Sequence, residues 1–171
     1  KLMSEMQMHA FKKQYGLKGC PVRFVTAYGP RENETHAIIA LIYKALAKMD
    51  PYQIWGDGNQ ERDFTYVDDI VESLVLLLDK IPIPDPDFDY QQPNPATSNA
   101  PYRIFNIGNN KPIKLLEFVD ILESKLGVKA IRKFENIQPG DVISTYADIK
   151  KINEWIDFEP KISIDIGLEK F

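Results

Sequence analysis

Arg62 stands between two acids in the run Gln60-Glu61-Arg62-Asp63-Phe64, directly after the turn-like stretch Gly56-Asp57-Gly58-Asn59. A guanidinium can fork onto two phosphate oxygens, a geometry that a lysine ammonium does not offer. Trp55, at the end of the apolar entry to that turn, is either core or a flat face for a base. His36 is expected to open a helix beside the Gly29-Pro30 turn, where helix N-terminal amides favour anions; His9 stands alone. Thr26 is expected to end a strand, the place where open α/β sheets put their ligand contacts. Asp141 lies in a Pro139-Gly140-Asp141 turn, where its carboxylate could equally serve turn amides. The sequence holds no nucleophile elbow, phosphate-cradling glycine loop, zinc-ligand spacing or HExxH pattern. Residue types and spacing thus reach a ligand-binding α/β fragment.

The elements that must hold these residues follow from periodicity and punctuation. Leu2, Met3, Met6, Ala10 and Phe11 recur at helical spacing and Gly16 stands where a C-cap belongs, predicting an amphipathic helix. Cys20 to Tyr28 is rich in β-formers and predicts one strand ended by Gly29-Pro30. A helix is expected from Thr35 to Met49, stopped by Asp50-Pro51. Gly56 and Gly58 supply a tight turn, Phe64, Tyr66 and Val67 a short strand, and Asp68 or Asp69 the cap of a helix reaching about Lys80. The proline-rich stretch from Pro82 to Pro101 reads as an exposed inserted loop, because Tyr102 to Gly108 resumes at once as a strand. A helix over 114–126 closed by Gly127, a strand over Ala130 to Phe134, a helix from Asp148 to Trp155 and a last helix from Ile162 complete the reading.

Composition excludes some classes. With 171 residues, 44% hydrophobic and 27% charged, the chain is of globular type, and it has no run near the roughly 20 apolar residues that span a bilayer. A net charge of -4 without a basic stripe argues against a nucleic-acid partner. One cysteine, Cys20, fits a reduced compartment. The opening Lys1-Leu2-Met3-Ser4-Glu5 reads as a helix in mid-course, so the chain is expected to start inside a domain.

The order of several motifs resembles one family. Lys1-Leu2-Met3-x-Glu5, Arg23-Phe24-x-Thr26-x-Tyr28-Gly29-Pro30-Arg31 and Gly56-Asp57-Gly58-x-Gln60-x-Arg62-Asp63-Phe64-x-Tyr66-Val67-Asp68-Asp69 resemble the C-terminal half of extended short-chain dehydrogenase/reductases. Within it they look like the nucleotide-sugar epimerases that act on UDP-glucose and UDP-glucuronate. Tyr102 to Asn109 and Gln138 to Asp148 are similar to the glucuronate type.

This resemblance implies an α/β fold, the C-terminal part of a Rossmann-like doubly wound sheet with a small α/β substrate-binding domain. Residues 1–28 would end the dinucleotide-binding domain and 29–171 form the substrate domain, with 63–80 and 102–108 returning to the Rossmann-like sheet. Lys1 falls on the lysine of the family's Tyr-x-x-x-Lys pair, a catalytic and cofactor-binding role at the nicotinamide ribose of NAD. The partner tyrosine and the main NAD site would lie outside this chain, and the chain alone would be inactive. Thr26 matches a residue near the sugar, His36 and Trp55 positions lining the nucleotide, Arg62 the diphosphate-binding arginine, and Asp141 an acid near ribose or diphosphate. Asn33 stands where glucuronate-type enzymes tend to carry a basic residue, which favours a neutral hexose, whereas Thr26 departs from the asparagine of many hexose enzymes. The sugar therefore stays open between UDP-hexose and UDP-uronate. The resemblance further implies a homodimer, while the sequence itself points to a cytoplasmic protein with no metal and no membrane partner. A dehydratase or decarboxylase of the same family, or a non-catalytic nucleotide-sugar-binding fragment, are the alternatives.

Overall fold

The structure, a computed structural model, describes residues 1–17, 19–33, 36 and 51–170. The chain divides into two compact units. One comprises Lys1–Phe24, Val71–Ile107 and Asp148–Glu159; the other comprises Val25–Ile70, Gly108–Ala147 and Pro160–Phe171.

In the first unit, α1 (Leu2–Tyr15) ends at Gly16, whose left-handed φ of 65° lets its amide donate to the Lys12 carbonyl at 3.0 Å. The apolar stripe of this amphipathic helix is exposed: Leu2, Met3, Met6 and Phe11 face outward, and the buried residue is Lys12. Its ammonium donates to the Gly19 carbonyl, so the helix is fixed to the following loop through its lysine face. Periodicity locates an apolar face but not the neighbour that covers it. Glu5 accepts both Nε and Nη2 of Arg23 at 2.7 Å, tying α1 to β1 (Val22–Phe24).

β1 runs parallel to β6 (Phe105–Ile107), while β2 (Thr26–Tyr28), in the second unit, runs parallel to β5 (Phe64–Tyr66). The strand expected over 20–28 is therefore two, broken at Val25 where the chain passes between units. Thr26 opens β2 instead of ending a longer strand.

The proline stretch carries no helix or strand and is punctuated by side-chain turns. Asp85, Asp89 and Asn94 each accept the amide two residues on, at 3.2, 2.7 and 3.0 Å. Its end is not exposed as expected: Ser98 and Ala100 are buried, and His9 Nε2 meets Ser98 Oγ at 2.8 Å. Further along, Arg103 lies over the Trp155 ring at 4.8 Å, and the indole of Trp155, on α4 (Lys150–Ile156), donates to the Lys80 carbonyl at 2.8 Å. Asp148 Oδ1 accepts the Lys150 amide at the start of α4.

The second unit adds β3 (Tyr52–Trp55) parallel to β8 (Arg132–Glu135), and the two-residue strands β4 (Glu61–Arg62) and β7 (Ile113–Lys114), which pair antiparallel. Its core is Tyr28, Phe64, Tyr66, Phe118, Val119, Leu122 and Leu168. The last four of these come from α3 (Leu115–Leu126) and α5 (Ile164–Lys170), and Phe64 stacks on Phe118 at 4.7 Å. α3 presents its predicted apolar face and stops at Gly127, φ 64°.

Helix α2 (Val67–Asp79) starts one residue before the acids expected to cap it. Asp68 and Asp69 lie in its first turn, and buried Asp69 instead accepts the Lys161 and Ile162 amides at 3.2 and 3.0 Å. The helix expected from Thr35 to Met49 lies outside the described residues.

Candidate functional site

The turn at 56–59 is built as its glycines suggest, with φ of 87° at Gly56 and 78° at Gly58. A side chain at Gly58 would run into Leu116 at the start of α3. The turn is closed from both sides. The Gln60 side-chain Nε2 donates to the Trp55 carbonyl, while the carbonyls of Gln60 and Gly58 accept the Leu115 and Leu116 backbone amides at 2.9 and 3.2 Å. Asp57 accepts the side-chain and backbone N–H of Asn59, contacts that hold its carboxyl below the usual range.

From this platform β4 projects Arg62. Its Nη2 donates to Asp141 Oδ1 at 2.7 Å and its Nη1 to the Glu61 carbonyl at 2.8 Å. The two charged side chains are 22% and 35% exposed, enough for a ligand to reach the guanidinium. The same Asp141 oxygen accepts the Val142 amide at 2.9 Å, so the carboxylate serves a turn amide, as its Pro-Gly-Asp setting suggests, and Arg62 at once.

Segment 143–145 is laid along β4 by the Glu61 amide donating to Ile143 O at 2.8 Å and the Thr145 amide donating to Glu61 O at 3.1 Å. Ser144 Oγ adds a bond to Glu61 Oε2 at 3.1 Å. These contacts fix the register at which Asp141 meets Arg62.

Trp55 sits on β3 opposite Glu135 and is 38% exposed, so it is not a core residue. Next to it in the chain, Gly56 and Asp57 line a cavity of about 570 Å³ with Phe134, Glu135, Asn136 and Ile137.

His36 donates its amide to the Asn33 carbonyl at 2.9 Å, and its Nδ1 lies 3.2 Å from Glu32 Oε1. The imidazole is exposed while the Glu32 side chain is buried. Burial pushes the Glu32 carboxyl above its ordinary pKa, against the opposing pull of His36. Asn33 and Thr26 are both exposed.

Lys1 belongs to the first unit. It is exposed at the N-terminus of α1 and lines a cavity of about 660 Å³ with Ser4, Glu5 and Pro21 among others. Among the described residues no cluster of histidine, cysteine and acidic side chains could hold a metal.

The structure thus joins Arg62 to Asp141 and sets His36 beside Asn33, pairs that the sequence left as separate residues. It also adds Glu32, Gln60 and Asp63, which sequence reasoning passed over. Asp63 alone carried a usable signal: an acid immediately before the aromatic run Phe64-Thr65-Tyr66 must find partners if that run is buried.

A family model described as the NAD dependent epimerase/dehydratase family matches residues 1–108. The chain belongs to this family. Among family relatives, protein CapI of Staphylococcus aureus is 39% identical over 171 residues, covering 100% of this chain and 51% of its own length. A UDP-glucuronate 4-epimerase of Thermodesulfobacterium geofontis is 34% identical, covering 98% of this chain and 46% of its own. In crystal structures, UDP-glucuronic acid 4-epimerase of Bacillus cereus, as a mutant in complex with UDP-4-deoxy-4-fluoro-glucuronic acid and NAD, matches with a TM-score of 0.80 and 30% identity over 99% of this chain and 49% of its own. The fold is the Rossmann-like α/β fold of these epimerases. The chain spans about half the length of the relatives it matches.

Proposed function

We propose that this chain is the nucleotide-diphosphate side of an NAD-dependent UDP-sugar 4-epimerase acting on a UDP-hexose or UDP-uronate. The observation that carries the reading is Arg62: a partly exposed guanidinium, fixed by Glu61 and Asp141 on a strand clamped at its turn. A preorganised fork of this kind suits a diphosphate, and Trp55, accessible on β3, the preceding strand in the chain, offers a face for the base. The names of the UDP-sugar epimerases among the relatives support the same substrate class.

Assignment of the chain to the half of its relatives that lacks the dinucleotide loop is part of the proposal. It is supported by the absence of any G-x-G-x-x-G run in the 171 residues. The donor chemistry of Lys1 fits the sugar end of NAD, since an exposed ammonium offers donors and no acceptor to ribose hydroxyl oxygens. NAD, when bound, supplies reversible oxidation at the sugar C4. Lys1 would orient that ribose and, by its charge, lower the pKa of a tyrosine acting on the sugar hydroxyl. Arg62, gripping the diphosphate, would hold the ligand while the sugar turns to offer its other face. Thr26, Asn33 and His36 are the residues assigned to the sugar and nucleotide walls, and Asp141 to the ribose or diphosphate. The exposed Leu2, Met3 and Met6 of α1 support a homodimer, which sedimentation of the intact protein tests.

Incubation of the full-length protein with UDP-glucose and UDP-glucuronate, with products resolved by chromatography and mass, tests the activity. A product of unchanged mass and a new retention time is expected; a mass loss would make the enzyme a dehydratase or decarboxylase. Calorimetry with UDP tests the site: Arg62→Ala should weaken binding roughly 10- to 150-fold, the loss of one charge-assisted contact. The reading gains its simplest check from the gene, where a tyrosine codon four places before Lys1 is expected.

A further inference from the structure

Asp63 is fully buried, yet among the described residues its carboxylate meets no cation. Oδ1 accepts the Asn109 amide at 3.2 Å, and Oδ2 accepts the amides of Asn110 at 3.0 Å and Ala147 at 3.1 Å. Backbone donors thereby satisfy both oxygens of a side chain that burial has removed from water. The turn at 108–110 wraps closely around the carboxylate: a Cβ on Gly108 would lie 2.9 Å from Asp63 Oδ2, and Asn110 adopts a positive φ of 54°.

Asp63 follows Arg62 directly in the chain, and Ala147 lies on the segment that carries Asp141. Glu61 holds 143–145 from one side of Arg62 through its backbone, and Asp63 holds Ala147 from the other through its side chain. Asp141, which contacts Arg62, lies just upstream on the same segment.

We propose that Asp63 is a positioning residue for diphosphate binding: by fixing 108–110 and Ala147 against β4, it sets the orientation of the Arg62–Asp141 pair. This rests on the reading of Arg62 as the diphosphate group. Asp63 does not touch the ligand in this scheme; it acts through its neighbour. In Asp63→Asn one carboxylate oxygen becomes an amide that faces backbone donors, so part of the node is lost while the shape is kept.

The test compares UDP with uridine, which lacks the diphosphate, by calorimetry on the full-length protein. Asp63→Asn should lower UDP affinity about tenfold, the worth of one well-aimed charged contact. Uridine affinity should stay within about twofold, and Asp63→Asn with Arg62→Ala should bind UDP no more weakly than Arg62→Ala alone, within the same margin. Equal losses for UDP and uridine, additive losses in the double variant, or no loss of UDP affinity would each overturn the positioning role. Unchanged UDP binding in Arg62→Ala would instead overturn the reading of Arg62 on which the inference rests. Should Asp63→Asn not fold, amide exchange of the wild-type protein decides. UDP should slow exchange in peptides containing Asn109, Asn110 and Ala147, and an absence of slowing there refutes the coupling.

Discussion

Glu123 gives the most direct test of how the second unit is held together. This carboxylate sits at the end of α3 with its side chain 1% exposed, and it accepts from Lys129 Nζ at 2.7 Å, Arg132 Nη2 at 2.8 Å, Arg132 Nε at 3.2 Å and the Ala130 amide at 3.2 Å. It thereby latches β8, and with it the partner strand β3 that carries Trp55, to the helix. The contributions are unequal. Lys129 is 81% exposed, so its pairing is worth little in water. Arg132 is 25% exposed and remains paired with Asp120 if Glu123 is altered.

Glu123→Gln keeps one accepting oxygen and turns an NH2 group toward a cation, so the loss is that of one charge-assisted contact, about 1.5–3 kcal/mol. For a chain of this length, at about 2–4 °C per kcal/mol, that corresponds to a fall in Tm of roughly 3–12 °C. Thermal unfolding followed by circular dichroism measures it. The pH dependence adds a sign. Burial alone would raise the Glu123 pKa, but the bonds from Arg132, Lys129 and the Ala130 amide outweigh it and hold the carboxyl below its ordinary value. A lowered folded pKa means that the stabilisation is complete above the unfolded value, about 4.3, and is lost as pH falls through the folded one. The wild type should therefore converge on Glu123→Gln as the solution is acidified. A change below about 0.5 kcal/mol at neutral pH, the range of an ordinary surface substitution, would refute the latch.

Two further contrasts separate backbone from packing and fold from binding. Gly127→Ala should cost about 1–2 kcal/mol through its left-handed φ of 64° alone, since open space surrounds the added methyl. Gly167→Ala, whose Cβ would collide with the hydroxyl of buried Tyr28 and lie 2.7 Å from its Cζ, should lower Tm further; an equal or smaller fall would refute the close approach. Trp55→Ala should leave Tm nearly unchanged but weaken UDP by about 1–3 kcal/mol in calorimetry if the base stacks there. A large loss of Tm with unaltered UDP affinity would make Trp55 a packing residue after all.

The parts of this protein that the sequence determined are those written in local chemistry. Gly16 and Gly127 stop their helices in the left-handed conformation because the chain reverses there and no Cβ opposes it. The apolar spacing of 115–126 sufficed to place α3, and the order of short motifs sufficed for the family. The tertiary structure decided which groups meet. Arg62 and Asp141 are 79 positions apart, and Asp63 and Ala147 are 84 apart. No periodicity links them, because a carboxylate's partner is chosen by whichever segment the fold lays beside it. The run 20–28 reads as one strand since its residues share one propensity, yet it serves two partners, β6 and β5, that lie far along the chain. The outward face of α1 has the same origin: amphipathicity is a property of the helix, and burial a property of what surrounds it.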